Sequence, residues 1–489
     1  MRIPLDPGGA TPVYRQLEAW LRAAIADGTL APGTRLPSSR GLASELGIGR
    51  VTVDSAYAEL GRDGLVTGRV GSGTYVAEPL GPRRAGDDRE GPGTRPGWQQ
   101  QVAATVVAAR PAPPELSPRP GLLSFNGAGD LRLVDTSALA ATYRDVLRRD
   151  RAGALDYGLP PAGHPGLRAT IARLLTSQGL HVDAERILVT NGSQQGLALA
   201  CQALASRGDT VLVERPTYDG ALDLFHTLGL RVVDVPTDHR GMVVEELGPL
   251  LERHRPRLVY TVPTFANPTG ASLSVARRRR LLELVVEHDV PLVEDDYAGD
   301  LRLDGRALPA VKALDRDGHV VHLGTFSKLL VPGLRLGYVV ADGPVLARLT
   351  QLKRAQDLMT SPVAQHVVDR FVTVGRYQAR LRRTVRTCRQ RLDALMAALD
   401  HHLPRAEARR PDGGLFVWVR LPDLPPGVTT RDLLAAALAE GVSFTPGDRF
   451  FVDPADGAQH LRLNLAVLEP EEIDEGVRRL ARATSHPQG

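Results

Sequence analysis

Lysine is nearly missing from this chain: of sixty basic residues only Lys312, Lys328 and Lys353 are lysines. Cysteine is scarcer still. Cys201 and Cys388 stand alone, with no CxxC pair and no metal-ligand spacing, which argues against a disulfide framework or a metal centre and leaves packed or idle thiols. No apolar stretch approaches the length of a membrane span, and the opening MRIPLDPGGATP lacks the apolar segment of a signal peptide. The expectation is a cytoplasmic protein without a membrane partner. Strong charge asymmetry is absent too: a net charge of +4 is only a weak pointer to nucleic acid, because a preference for arginine can reflect coding bias. No internal repeat is visible.

The few lysines therefore raise a question. An arginine stays charged at any physiological pH, whereas a lysine can lose its proton and act as an amine nucleophile. Lys328 lies in TFSKLLVPGLRLGY (325–338), where the apolar run HVVHLG leads into a small, hydroxyl-rich turn. A strand end in an α/β fold is where sites gather. A plain surface lysine is the alternative reading.

At 489 residues the chain exceeds what one core usually fills, so more than one domain is expected. Residues 1–78 read as the first. Thr11 can cap, and Pro12 can open, a helix carrying Tyr14, Leu17, Leu21, Ala24 and Ile25 on one face. A second short helix covers 38–47, a turn follows at Gly47, Ile48 and Gly49, and a third helix starts near Arg50 with Val53, Ala56, Tyr57 and Leu60 on its buried stripe. LVTGRV and TYVAE then read as a hairpin across Gly71, Ser72 and Gly73. This is the layout of a winged helix-turn-helix. The stretch PSSRGLASELGIGRVTVDSAYAELGRDGLVTGRVGSGTYVAE (37–78) resembles the DNA-binding domain of GntR-type bacterial repressors. That resemblance implies contacts to double-stranded DNA: Arg40 and Arg50 to phosphates and base edges, Thr52 facing the major groove, and the wing around Arg69, Gly71 and Gly73 reaching the minor groove. Where that family usually has serine before the recognition-helix arginine, this chain has Gly49.

Residues 79–120 are dominated by Pro, Gly, Arg and Asp, and read as a linker that cannot bury enough surface to fold alone. From 121 to 485, apolar runs (RILVTNG, TVLVERP, RLVYTVP, PLVEDD, HVVHLGTF) alternate with helical patterns. Such alternation implies an α/β domain with a mostly parallel sheet and helices on both faces. After about 362, one long arginine-rich helix (370–402) and the short strands in GGLFVWVRL and HLRLNLAV suggest a smaller α+β subdomain.

The chemistry-bearing residues fall at strand ends. TNGSQQG (190–196) runs a strand into a helix and leaves backbone donors free for a phosphate. PLVEDDY (291–297) ends a strand in Glu294, Asp295 and Asp296, where a carboxylate needs a cation and a pyridinium nitrogen would supply one. PTFANPTG aims the Asn267 amide into the crevice, GLRLGY offers Arg335 for a phosphate, and LRLN presents Arg462 for a carboxylate.

Together these motifs resemble, across residues 121–485, the fold type I family of pyridoxal 5′-phosphate (PLP) enzymes. The resemblance implies that Lys328 is the catalytic residue and carries PLP as a Schiff base, and that Asp295 pairs with the pyridine nitrogen. Asp295 is preferred to Asp296 on its two-residue spacing to Tyr297. Asn267 and Tyr297 would bond the ring's 3′-oxygen, and Tyr218 would stack on the ring unless it is an ordinary core aromatic. Ser193, Gln194, Thr325, Ser327 and Arg335 would hold the phosphate, and Arg462 an α-carboxylate. Tyr157 resembles the tyrosine that reaches the neighbouring subunit's phosphate, which implies a homodimer.

A GntR-type head joined to an aminotransferase-like body resembles the MocR-like bacterial regulators. The implied function is transcriptional regulation in which PLP, or an amino-acid-like effector acting with it, alters how a head-to-tail dimer presents its heads to paired half-sites. The alternatives are a working aminotransferase with an appended DNA-binding domain, and a cofactor-free dimerisation scaffold.

Overall fold

The computed structural model describes residues 3–9, 11–69, 73–77, 98, 120–127, 129 and 131–485. It divides into two units, Met1–Thr105 and Val106–Gly489. The expected linker, apart from Trp98 and Pro120, lies outside the described residues.

The head is built as its periodicity dictates. Helices α1 (Val13–Ala26), α2 (Ser39–Leu46) and α3 (Arg50–Arg62) precede the antiparallel strands β1 (Val66–Arg69) and β2 (Gly73–Val76). Leu17, Leu21, Leu42, Val53, Ala56 and Leu60 close one small core. Ser38 caps α2 by accepting from the Gly41 N–H, and Gly47, at φ 67°, ends it in the left-handed conformation that glycine tolerates. The expected cap at Thr11 is not made. Pro12 occupies the cap position of α1 without a side-chain bond. The Gln16 amide instead reaches back to the Thr11 and Asp6 carbonyls (2.7 and 2.9 Å) and accepts from the Asp6 N–H (2.8 Å).

In the body, strand β3 (Leu123–Ser124) comes first, followed by the strands of the large sheet: β4 (Ile187–Thr190), β5 (Thr210–Arg215), β6 (Arg231–Asp238), β7 (Gly241–Met242), β8 (Leu258–Thr261), β9 (Leu292–Asp296), β10 (Val320–Thr325) and β11 (Gly337–Val340). Their order in space is β4-β11-β10-β9-β8-β5-β6-β7. The pairings β5–β6, β5–β8, β8–β9 and β9–β10 are parallel, while β11 and β7 run antiparallel to their neighbours.

Alternate residues feed opposite faces, as a period of two requires. Val213, Tyr260, Val293 and Leu323 pack with the helix Ser193–Leu204, whereas Leu212, Val259 and Leu292 pack with Leu281 and Val285 of the helix Val275–Glu287. Both faces are covered, which is why these strands read as unbroken apolar runs.

The smaller subdomain carries a second sheet, β12 (Glu407–Ala408), β13 (Phe416–Arg420), β16 (His460–Asn464) and β15 (Thr445–Pro446). Two features differ from the sequence reading. The single helix expected over 370–402 is two, Pro362–Thr373 and Arg376–His402, divided at Gly375, whose φ of 78° no helix accommodates. Arginines on both sides of the break concealed it. Also, β3 crosses to the subdomain and pairs in parallel with β14 (Val442–Ser443), a partner more than 300 residues away that no local pattern announces.

Of the four consecutive arginines 277–280, Arg278 is fully buried. Its guanidinium donates to the carbonyls of Leu273 (2.9 Å), Pro309 (3.1 Å) and Pro263 (2.7 Å) and to Thr264 Oγ1 (2.9 Å), closing the loop that carries Asn267. Arg278→Met would leave those acceptors buried and unpaired. The expected cost is about 3 kcal/mol, seen as a lower urea midpoint for unfolding of the body.

Candidate cofactor site

The carboxyl ends of the strands meet in a cleft with about 560 Å³ of empty space, whose lining includes Ser193, Tyr218, Asn267, Asp295, Lys328 and Arg335, with Gln194, Val262, Tyr297, Thr325 and Ser327 completing it. Residues up to 142 positions apart in the chain are thus brought together by the sheet order.

At one end, β4 turns through Gly192 (φ 83°) into the helix Ser193–Leu204. A Cβ on Gly192 would stand 2.7 Å from Arg335 Nη2, and one on Gly337 would stand 2.6 Å from the backbone of Gly192 and Ser193. These two glycines let β11 pass against the turn and let Arg335 lean over the helix N-terminus. Among the described residues the Arg335 guanidinium has no hydrogen-bond acceptor and no carboxylate within 4.0 Å. Ser327 Oγ is buried without a partner, while Thr325 Oγ1 donates to the Leu336 carbonyl (3.3 Å) and accepts from the Ser327 N–H (3.1 Å). Free backbone donors, a helix N-terminus and an unpaired guanidinium make an anion cradle. The Gln194 side chain is engaged elsewhere, donating to the Gly220 carbonyl (2.9 Å) and accepting from Tyr218 Oη (3.3 Å), so only its backbone N–H faces this cradle's helix end.

Beneath the turn lies a network that motif reading missed. Asn191 and Gln195 both donate to Asp357 Oδ2 (2.6 and 2.7 Å), and Lys353 donates to Asp357 Oδ1 (2.8 Å). The signal available in the sequence was the scarcity of lysine, of which Lys353 is one instance.

The three acids ending β9 part by alternation. Glu294 turns away, accepting from the Val311 and Lys312 N–H groups (2.7 and 3.0 Å) and pairing with His322 Nδ1 (3.0 Å). Asp296 accepts from the Gly299 N–H (2.7 Å). Asp295 lines the cleft. Tyr260, another residue the motifs did not reveal, donates to Asp295 Oδ2 (2.9 Å), and Oδ1 is buried with no partner. A phenol inside an apolar strand needs such an acceptor, and that requirement was the available clue. Burial pushes the Asp295 carboxyl up to about 6, only partly offset by the Tyr260 bond.

Lys328 stands opposite. Burial first, then the positive charge of Arg462, bring its amine down to about 8 against the pull of Asp295. Tyr297 Oη donates to the Phe265 carbonyl (2.8 Å), and its ring stacks on Phe416. Arg462 is clamped between aromatic faces, its guanidinium carbon 4.1 Å from the Phe416 centroid and 4.8 Å from that of Phe450. It donates to Asn267 Oδ1 (2.8 Å) and weakly to Thr445 Oγ1 (3.4 Å), while Nε is buried without a partner. Among the described residues no carboxylate lies within 4.0 Å of it.

Tyr157 is not in this cleft. It is 76% exposed, on the surface of its own body. In the head, Arg40 and Arg50 are exposed and Thr52 is half-buried on the first turn of α3, where Gly49 supplies no side-chain cap. Arg50 Nε sits 3.4 Å from Asp54. Val51, which sequence reasoning passed over, is 77% exposed between Arg50 and Thr52. The Arg69 backbone pairs with Gly73, and Gly71 lies outside the described residues.

The residues present fit pyridoxal phosphate: an anion cradle, a buried carboxylate oxygen lacking a donor, and an amine that burial brings down to about 8 share one cleft. The sequence model for aminotransferase class I and II matches residues 127–480. The chain belongs to that family. The model for bacterial regulatory proteins of the gntR family matches residues 13–76. Relatives carrying both parts include the HTH-type transcriptional regulator TauR of Rhodobacter capsulatus, 33% identical over 99% of this chain and 100% of its own length. The probable rhizopine catabolism regulatory protein MocR of Rhizobium meliloti is 30% identical over 98% and 95%. Among solved structures, LysN, an α-aminoadipate aminotransferase of Thermus thermophilus complexed with N-(5′-phosphopyridoxyl)-L-leucine, matches with a TM-score of 0.70 at 37% identity, covering 75% of this chain and 93% of LysN. The chain is thus a MocR-type transcriptional regulator with a GntR-family DNA-binding head and a fold type I body whose cofactor is pyridoxal phosphate. Among the described residues no helix is long and apolar enough to cross a membrane, and no cluster of potential metal ligands is present.

Two outcomes are expected. Labelling of Lys328 in the cofactor-free protein by a small amine reagent, read by peptide mapping, should rise with pH through about 8, because the depressed value leaves half the amine neutral there. A midpoint near the ordinary 10.5 would contradict the site's geometry. Gly337→Ala should retain the fold yet weaken PLP binding by about tenfold or more, since its methyl group would push the phosphate turn aside; equilibrium dialysis measures this.

Proposed function

We propose that the body senses a small amino compound with the help of PLP and passes the result to the heads, rather than producing a metabolite. The observation that carries this reading is Arg462, a half-buried guanidinium packed on two aromatic rings, with its Nε buried and unpartnered and no carboxylate within 4.0 Å among the described residues. A cation in that state is expected to take an external acid. The acid belongs to an amino-acid-like effector, whose identity the pocket chemistry restricts to compounds bearing an amine and an anionic group.

When bound, PLP supplies an aldehyde that reacts with amines and a pyridinium ring that withdraws electrons. The chain's own residues do the rest. Arg335, Ser327, Thr325, Ser193 and the Gln194 N–H hold the phosphate, and Asp295 Oδ1 accepts from the ring nitrogen. Asn267 and Tyr297 orient the ring's oxygen, Tyr218 covers its face, and Lys328 offers a neutral amine. Arg462 then positions the effector by its acid group. In this reading the protein is a cytoplasmic head-to-tail homodimer in which the exposed Tyr157 of each chain completes the other's phosphate site.

Differential affinity of the effector for two dimer arrangements is what moves the heads. In register they would meet half-sites about 34 Å apart, or multiples of that. The controlled genes are those of vitamin B6, amino acid or amine metabolism.

A working aminotransferase with an appended head is the second reading, favoured by the presence of both Lys328 and Arg462, the groups transamination uses to move a proton and to hold a carboxylate. Many turnovers of amino-group transfer to a 2-oxo acid by the purified protein would support it over sensing.

Footprinting upstream of the chain's own gene, with and without PLP and candidate amines, tests the sensing account. Arg462→Ala should keep the visible absorption of the bound cofactor and lose the effector-dependent change in the footprint. Lys328→Arg should lose both. Footprints from the two variants that respond as the parent does would sink the proposal.

A further inference from the structure

The segment before α2 is fastened on two sides. The Leu36 N–H donates to the Thr74 carbonyl (2.8 Å), the Val76 N–H donates to the Thr34 carbonyl (2.9 Å), and Arg35 bridges Tyr75, so residues 34–36 extend the wing by a third edge. From α3, Tyr57 Oη donates to the Pro37 carbonyl (2.9 Å). One short stretch is thereby held to the wing and to the helix after the turn, and Arg35 is at its centre.

The Arg35 side chain lies across Gly73. A Cβ at position 73 would stand 3.1 Å from Arg35 Nε and 3.5 Å from Nη2, and the φ of +116° there is one that side-chain-bearing residues rarely adopt. The last glycine of the wing sequence therefore serves as a seat for a guanidinium. Three other head arginines are paired within the head, Arg22 with Glu18 and Asp63, Arg62 with Glu59, and Arg50 with Asp54, while Arg40, like Arg35, has no carboxylate within 4.0 Å among the described residues. Arg35 has no carboxylate within 4.0 Å and no acceptor for its guanidinium among the described residues.

We propose that Arg35, seated on Gly73 beside the turn of the wing, is a DNA-backbone contact of the head that binds a phosphate rather than a base. Its guanidinium fork matches phosphate oxygens, and its backbone, bridged to Tyr75, holds that fork beside the wing. The inference rests on the DNA-binding reading of the head.

The test uses the full-length protein, on the operator recovered by footprinting and on mixed-sequence duplex DNA, across a salt series. Arg35→Ala should weaken binding to both duplexes by a similar factor, about tenfold at low salt. The slope of log affinity against log salt should shrink by about 0.9 for each engaged head. Arg35→Lys should keep the parent slope, because the charge remains. Arg62→Ala, which removes an equal but already paired charge, should match the parent. The proposal fails if Arg35→Ala matches Arg62→Ala in affinity and slope, as a merely solvated arginine would, or if its loss is confined to the operator, as a base contact would be. A parent chain that binds neither duplex would overturn the DNA-binding reading itself, a result separate from either of these.

Discussion

Unpaired polar groups in a dry cleft are the constraint around which this body is arranged. Asp295 Oδ1, Ser327 Oγ and Arg462 Nε are all buried without partners at the strand ends. Each such group costs on the order of 1–3 kcal/mol, and more when charged. A fold bears that cost only where the rest of the structure over-determines the geometry. Here it does: Tyr260 pins the other oxygen of Asp295, Asn267 and two phenylalanines pin Arg462, and Arg278 pins the loop carrying Asn267. A ligand that supplies a ring N–H, a phosphate and an acid group would relieve all three deficits together.

How much of this was legible in the sequence follows from distance along the chain. Strands of a parallel sheet covered on both faces show up as apolar runs, and their chemistry lies where the runs stop, so Asp295, Lys328 and Ser193 could be found by scanning. The winged head was legible for a similar reason, since its helix stripes and glycine turns are local. Partners far apart were not legible. Asp357 supports Asn191 from 166 residues away, and β3 joins β14 across the whole body. Gly375 was hidden because a single glycine between two helical patterns, with Arg370 and Arg376 close on either side, does not by itself announce a break. Thr11 misled because a capping residue type stood one place too early: Pro12 takes the cap position, and Gln16 ties the chain before the helix by bonding the Thr11 carbonyl.

The three lysines show which part of the opening question was well posed. All three are drawn into the body. Lys312 is 5% exposed and pairs with Asp315 and Asp342, and Lys353 is 1% exposed and pairs with Asp357. Lys328 alone has no carboxylate within 4.0 Å among the described residues. Scarcity of lysine therefore marked burial, where a compact ammonium fits, and did not by itself mark chemistry. What separates Lys328 is the missing counter-ion. Burial, aided by the charge of Arg462, then outweighs the more distant pull of Asp295, and the amine falls to about 8.

The same distinction separates the two guanidinium groups on which the site and the head turn. Arg278 is fully buried and Arg462 half-buried, and Arg278 directs its donors to carbonyls and a hydroxyl and so holds a loop. Arg462 leaves a donor unused and is shielded on both faces by aromatic rings, which raises the strength of its attraction for any anion that reaches it. A satisfied charge in a protein interior is structure. An unsatisfied one stores a preference for whatever completes it, and from that preference a ligand can draw the free energy to favour one arrangement of a protein over another. Arg35 carries the argument to the head, where a guanidinium resting on Gly73 with no carboxylate within 4.0 Å among the described residues differs from the ion-paired Arg22 and Arg62.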